Sequence, residues 1–148
     1  MLDVFEHLYE QHDPDNPSIW NYNGIVRYAG IICHKITFHS PDFKYIPYTV
    51  MKGETLETLS RKLFISDFMV LEKNASIKSF ESVRPGMTIN VPSDYGKQII
   101  LYLRKSDRIP IGVKIFNDEG LYEEYTYHNV QINPTFSPIE FDLANPDY

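Results

Sequence analysis

Tyr48-Thr49-Val50-Met51-Lys52-Gly53-Glu54-Thr55-Leu56, answered further on by Val83-Arg84-Pro85-Gly86-Met87-Thr88-Ile89-Asn90-Val91-Pro92, decides how this chain is read. A β-rich strand, Tyr48–Val50, stops at a glycine turn. Thr55 is placed to N-cap a helix over 55–63, whose Leu56, Leu59 and Leu63 fall on one face, and Ser66 is placed to cap a second helix over 66–74, ended by Asn74. Pro85-Gly86 then turns the chain into Thr88–Val91. This last strand is expected to pair antiparallel with the first, because the two helices return the chain to its origin. The unit is a compact βααβ module.

These residues resemble a LysM domain, whose pattern is roughly Y-T-V-x-x-G-D-T-L, a helix pair ending in N, then L-x-P-G-Q-x-L-x-I-P. The resemblance covers residues 47–93. Glu54 stands where the family more often has Asp, Lys73 where an apolar residue is usual, Ala75 where Pro often follows the Asn, and Met87 in place of Gln. LysM modules bind N-acetylglucosamine polymers in a shallow groove between the loop after the first strand and the loop after the second helix. Backbone groups there meet the N-acetyl amide, and apolar side chains meet the ring. The resemblance therefore implies a glycan site at Lys52, Gly53, Glu54 and Thr55 on one side and Asn74, Ala75, Ser76 and Ile77 on the other, with peptidoglycan or N-acetylglucosamine oligomers as partner. The same residues have a plainer reading, in which Gly53 and Thr55 only form the turn and the cap and Asn74 only ends the helix. One module implies weak binding, since affinity for such polymers grows by repetition.

The flanks read as one antiparallel sheet interrupted by the module, which makes the fold class α+β. Residues 1–46 offer an amphipathic helix from Leu2 to Gln11, a loop forced by Asp13-Pro14-Asp15-Asn16-Pro17, and a hairpin of Ile25–Tyr28 and Ile31–Phe38. Residues 94–148 offer three runs joined by polar turns: Gln98–Leu103, Ile109–Phe116 and a long strand Leu121–Asn133. Neither flank has enough strands to stand alone, so Gln98–Leu103 is expected in the same sheet as Ile31–Phe38. Alternation places Glu123, Glu124 and His128 on an exposed face. Tyr125 and Tyr127 share a face with Leu121 and are expected to line the core, leaving Tyr122 for the surface.

The back half, with Leu101-Tyr102-Leu103, Ile109-Pro110-Ile111, Phe116 to Leu121, Tyr125 to Pro134, Phe141-Asp142 and Asn145 to Tyr148, is similar to the closing strands of an uncharacterised lipoprotein-carrier-like (LolA-like) family of bacterial envelope proteins. The front hairpin, with Cys33-His34-Lys35-Ile36, is similar to its preceding strands. That resemblance implies a sheet over an apolar groove able to hold acyl chains, hence a lipid or lipoprotein partner. An unfinished sheet edge also suggests a homodimer.

Composition narrows the classes further. The net charge of −6, with the acidic excess on the two flanks, leaves no basic stripe for nucleic acid. Cys33 is the one cysteine, which rules out an intrachain disulfide, and its β-branched surroundings suit a buried, inert thiol. The start Met1-Leu2-Asp3-Val4-Phe5-Glu6 lacks the features of a signal peptide, so an envelope, periplasmic location requires Met1 to begin a trimmed chain or a fragment of a longer precursor.

No nucleophile motif is present. Glu123 and Glu124 are strand neighbours facing opposite ways and cannot flank one glycosidic bond. Cys33, His34, His39 and Asp42 have metal-ligand chemistry but not the facing geometry, and His7 and His12 around the helix end are expected in solvent. The expectation is thus a non-catalytic envelope protein with no cofactor or metal, held to peptidoglycan by the module. The alternative is a LolA-like carrier of lipid or lipoprotein in which the insert is only structural.

Overall fold

Ala29 and Gly30 both have positive φ, 47° and 81°, the conformation that joins two twisted strands most tightly. They link β1 (Trp20–Tyr28) to β2 (Ile31–His39) in a computed structural model that describes residues 2–136. β1 begins earlier than its apolar run suggests, and its register shifts between Tyr22 and Ile25, where Gly24 takes a φ of 82°. The chain leaves β2, makes β3 (Tyr45–Thr49), α2 (Leu56–Leu63), α3 (Asp67–Lys73), a 3-10 turn (Phe80–Ser82) and β4 (Thr88–Pro92), then returns. β5 (Gln98–Arg104) pairs antiparallel with β2, setting Ile36 opposite Leu101 and Phe38 opposite Ile99. β6 (Pro110–Phe116) and β7 (Leu121–Thr126) complete a five-stranded sheet of order β1-β2-β5-β6-β7. The fold is α+β with an antiparallel sheet, and its third strand does pair with its second across the intervening segment.

That segment is a βααβ unit. β3 pairs antiparallel with β4, setting Tyr48 opposite Ile89, and the ladder starts at Tyr45 rather than Tyr48. Thr55 caps α2 by accepting from Thr58 N while the Thr58 hydroxyl accepts from Thr55 N, and Ser66 Oγ accepts from Met69 N at the head of α3. Phe64 ends α2 in the left-handed conformation, φ 53°, and its ring stacks on His7 of α1 (Leu2–Gln11) at 4.2 Å.

Two cores result. Val50, Leu56, Leu59, Ile65, Val70, Ile77, Val83, Ile89 and Val91 fill the insert. Val4 and Leu8 of α1 pack with Phe38, Ile99, Val113 and Ile115 of the sheet, and Met69 of α3 joins them. The sheet's other face is closed by Tyr28, which stacks on Tyr102 at 4.0 Å and hydrogen-bonds Thr126 (2.6 Å) and Glu124 (3.1 Å) on the far strand. Its ring lies over Gly112, where any Cβ would collide with it.

Several expectations fail. β7 ends at Thr126, not Asn133; Asn129 and Asn133 are left-handed, φ 54° and 48°, which no strand continues through. A register shift between Ile115 and Phe116 puts Tyr122 out of alternation with the rest of β7. Tyr122, the extra residue at that shift, therefore packs against the sheet core instead of facing solvent, while Tyr125 keeps the core side of the sheet opposite Val113 but, like Tyr127, is left exposed. Glu124 and His128 are exposed as expected, Glu124 pairing with Lys114 at 3.0 Å, but Glu123 is half-buried and accepts from Ser66 and Tyr125. His12 is not a solvated histidine either, because its Nε2 meets Asp94 at 2.9 Å and its ring edges onto Phe38. The resemblance residues Phe141-Asp142 and Asn145 to Tyr148 lie outside the described residues.

Candidate functional site

The turn after β3 is built around one carboxylate. Gly53 holds φ at 88°, which lets Glu54 fold back: Glu54 N donates to Met51 O at 3.2 Å and Glu54 Oε2 accepts from Met51 N at 2.9 Å. The same carboxylate accepts from Tyr48 OH at 2.9 Å and pairs with Lys62 of α2 at 2.9 Å. The hydrogen bond from Met51 N, then the one from Lys62, hold Glu54 below the usual carboxylate range, and the partnered Lys62 is raised. Glu54 is thus a clamp on the strand, the turn and the helix. Thr55 is committed to its cap, while Lys52 and Gly53 stand exposed at the tip.

Since the folded-state pKa of Glu54 is depressed, its contribution is complete above the unfolded value and is lost as pH falls through the folded one. Glu54→Gln should therefore be less stable than wild type at neutral pH, and the gap should close on the acid side of the carboxylate range. Urea unfolding across that range checks this; a gap that persists in acid would show that the clamp does not depend on charge.

The second turn is built around Asn74. Its Nδ2 donates to Val70 O (2.6 Å) and Asn90 O (2.8 Å), and its Oδ1 accepts from Asn90 N (2.7 Å). Asn90 stands opposite Pro47 of β3 as a non-hydrogen-bonded pair, so its N–H and C=O point away from β3. The Asn74 carboxamide therefore meets both main-chain groups of Asn90 as a neighbouring strand would, and it is buried. Ile77 N donates to Asn74 O to close the turn, and the Ile77 side chain is 4% exposed in the insert core. That corrects the expectation that Ile77 offers an apolar contact to a sugar. Ala75 and Ser76 are the exposed tip. Of the eight residues the glycan resemblance singles out, four therefore serve the fold through their side chains, and four present themselves and their backbone to solvent.

Elsewhere several titratable residues have local partners. Tyr22 OH and His34 Nδ1 are 2.9 Å apart, and His39 lies beside Gln98. Among the described residues no group of three His, Cys, Asp or Glu could hold a metal ion. Cys33 is fully buried, and burial raises its thiol pKa. Asp94 takes hydrogen bonds from both His12 and Ser40, so the serine hydroxyl is spent on the carboxylate rather than aimed at the imidazole, the opposite of an activated nucleophile.

Residue spacing did not locate one further feature, although the LolA-like resemblance implies an apolar groove on the sheet. Two adjoining apolar hollows, of about 450 and 530 Å³, run along the sheet on either side of Phe5 and Leu101. One is lined by Leu103, Val113 and Tyr127, with Arg108 the only charged lining residue among the described ones; the other reaches Tyr9, Trp20 and Ile36. They arise where α1 crosses the sheet without covering it, a matter of long-range packing that residue spacing does not encode.

Neither the curated proteins nor the solved structures contain a match to the chain. Residues 72–148, from the end of α3 through β4 and the three closing strands, match the family described as "Protein of unknown function (DUF1571)". Because that match takes in more than half of the sequence, the chain belongs to the DUF1571 family.

Proposed function

We propose that this protein is a non-catalytic component of the bacterial cell envelope that binds N-acetylglucosamine-containing glycan, such as peptidoglycan, through the tips of the two turns at 51–55 and 74–77. The observation that carries this reading is the division of labour within them. Glu54, Thr55, Asn74 and Ile77 fix the turns, and Lys52, Gly53, Ala75 and Ser76 are left exposed on backbone that is already in place. An amide-bearing sugar is met best by such fixed backbone donors and acceptors, because no ordering cost is paid on binding. The work of the protein is then localisation or scaffolding rather than chemistry.

Titrating the ¹⁵N-labelled chain with N-acetylglucosamine oligomers at millimolar concentration should shift the amides of Lys52, Gly53, Ala75 and Ser76. The effect should depend only mildly on salt, since no full charge is neutralised. Ala75→Asp, which alters an exposed tip and no core contact, should abolish the shifts while leaving the unfolding midpoint near wild type. No shift with wild type, or equal shifts with Ala75→Asp, would reject the site.

A second reading, a carrier of lipid or lipoprotein with a purely structural insert, is favoured by the apolar hollows beside Phe5. Native mass spectrometry of the purified chain separates the two, because a carrier should retain an acyl-bearing ligand there.

A further inference from the structure

On the core side of the main sheet the strand registers align side chains into rows that run across the strands. The row Trp20, Phe38, Ile99 and Ile115 packs under α1, which crosses the strands from Phe5, beside Val113 of β6, to Tyr9, edge-on to Trp20 of β1. The hollows beside Phe5 open over the next row, Tyr22, Ile36, Leu101, Val113 and Tyr125, and reach Leu103 and Pro110 in the row beyond. Tyr22, Ile25, Ile32, Tyr125 and Tyr127 are left exposed on this half of the face. A contiguous apolar patch of that kind marks a surface made to be covered.

Its dimensions are those of a helix. Five strands about 4.8 Å apart make a row roughly 19 Å long, the length of about 13 helical residues, and the run along β2 from Ile36 to Ile32 is roughly 13 Å, against a helix diameter of about 10–12 Å. The far end is basic. Arg27 stands opposite Ile32, Lys105 N donates to Ile32 O, and Arg108 lines the hollow. All three are exposed without a carboxylate partner among the described residues, while Arg104 is already paired with Asp107 at 2.8 Å. On the opposite side of the opening, α1 turns Asp3, Glu6 and Glu10 to solvent. A second copy closing over the face would press those carboxylates onto apolar rows, and an anionic bilayer would meet them before it reached the hollows.

We propose that this half of the face binds an amphipathic, acidic helix of a partner protein, laid beside α1 with its apolar stripe on the sheet and its carboxylates along the edge that meets Arg27, Lys105 and Arg108. The site shares no residue with the two turns and stands independently of the glycan reading.

The test is an NMR titration of the ¹⁵N-labelled full chain with a synthetic peptide of about 15 residues, with leucine at i, i+3, i+4 and i+7 spacing, Glu along one edge of that stripe and Ala elsewhere, and with the same peptide carrying Lys for Glu. The acidic peptide should shift the amides of Ile25, Ile32, His34 and Leu103 and bind about tenfold more tightly than the basic one, a preference that shrinks as salt is added. Lys105→Glu combined with Arg108→Glu, both at exposed positions, should reverse the preference while leaving the unfolding midpoint near wild type. Ile32→Asp should abolish binding of both peptides. Equal affinity for the two peptides, no shifts on this face, an unreversed preference in the double variant or retained binding in Ile32→Asp would each overturn the assignment. Nuclear Overhauser contacts from residues 137–148 of the chain itself to Ile32 or Leu103, an acyl-bearing ligand that the peptide cannot displace, or a dimer formed through this face would also overturn it, since each identifies a different occupant.

Discussion

Ile77→Asp is expected to unfold the insert rather than to report on a ligand. Ile77 is 4% exposed among Val50, Leu56, Val70 and Ile89, and nothing in that cluster offers a carboxylate a partner. Burying an unpaired charge costs several kcal/mol, so the introduced side chain stays folded only by taking up a proton. A loss of about 4 kcal/mol or more is expected at neutral pH, a large part of the ~5–15 kcal/mol that holds a domain folded. The sign with pH is opposite to that of Glu54. A carboxyl with a raised folded-state pKa destabilises least in acid, and its cost grows as pH rises through the unfolded value. Ile77→Val, by contrast, should cost about 1 kcal/mol. Urea denaturation of both variants across pH checks the pair; wild-type stability in Ile77→Asp would mean that Ile77 is not a core residue.

The second large effect belongs to Asn74→Ala. Truncation strips Asn90 of partners for both its N–H and its C=O and removes the tie to Val70 O. Asn90 is exposed and its two bonds to the carboxamide are part-buried, so water replaces some of what is lost there, and with the buried tie to Val70 O a loss of about 2 kcal/mol is expected, measured as a lower urea midpoint with an unchanged slope. Asn74→Asp should do little better, because it keeps an acceptor for Asn90 N but offers no donor to Asn90 O or Val70 O. A cost below about 1 kcal/mol would show that the carboxamide does not brace the strand.

Both effects mark the point where sequence reasoning ran out. The βααβ unit was legible because its punctuation is chemical: Gly53 and Gly86 take positive φ, Thr55 and Ser66 cap, and Asn74 ends α3. The pairing of β2 with β5 was legible from arithmetic, since neither flank had enough strands alone. The duties of Asn74 and Ile77 were not legible, because a spacing that suits a groove suits a brace and a core residue equally well. Tyr122 was misplaced because strand alternation holds only without a bulge, and the shift beside Phe116 comes from pairing with β6 rather than from β7 itself. The apolar groove was implied by the LolA-like resemblance alone; where the hollows at Phe5 lie depends on how α1 settles, which no local pattern records.

Met69 and Val70 are consecutive residues of α3, yet one packs into the sheet's core and the other into the insert's. A segment spliced between two strands is ordinarily a passenger that could be cut out and its ends rejoined. Here the host has come to depend on its guest: excising residues 45–92 would leave a methionine-sized void against Leu8 and Ile99, where dry apolar walls would collapse or take up something else. A version of this chain without residues 45–92 would therefore lose about 2–5 kcal/mol unless a larger side chain on α1 or the sheet filled that space.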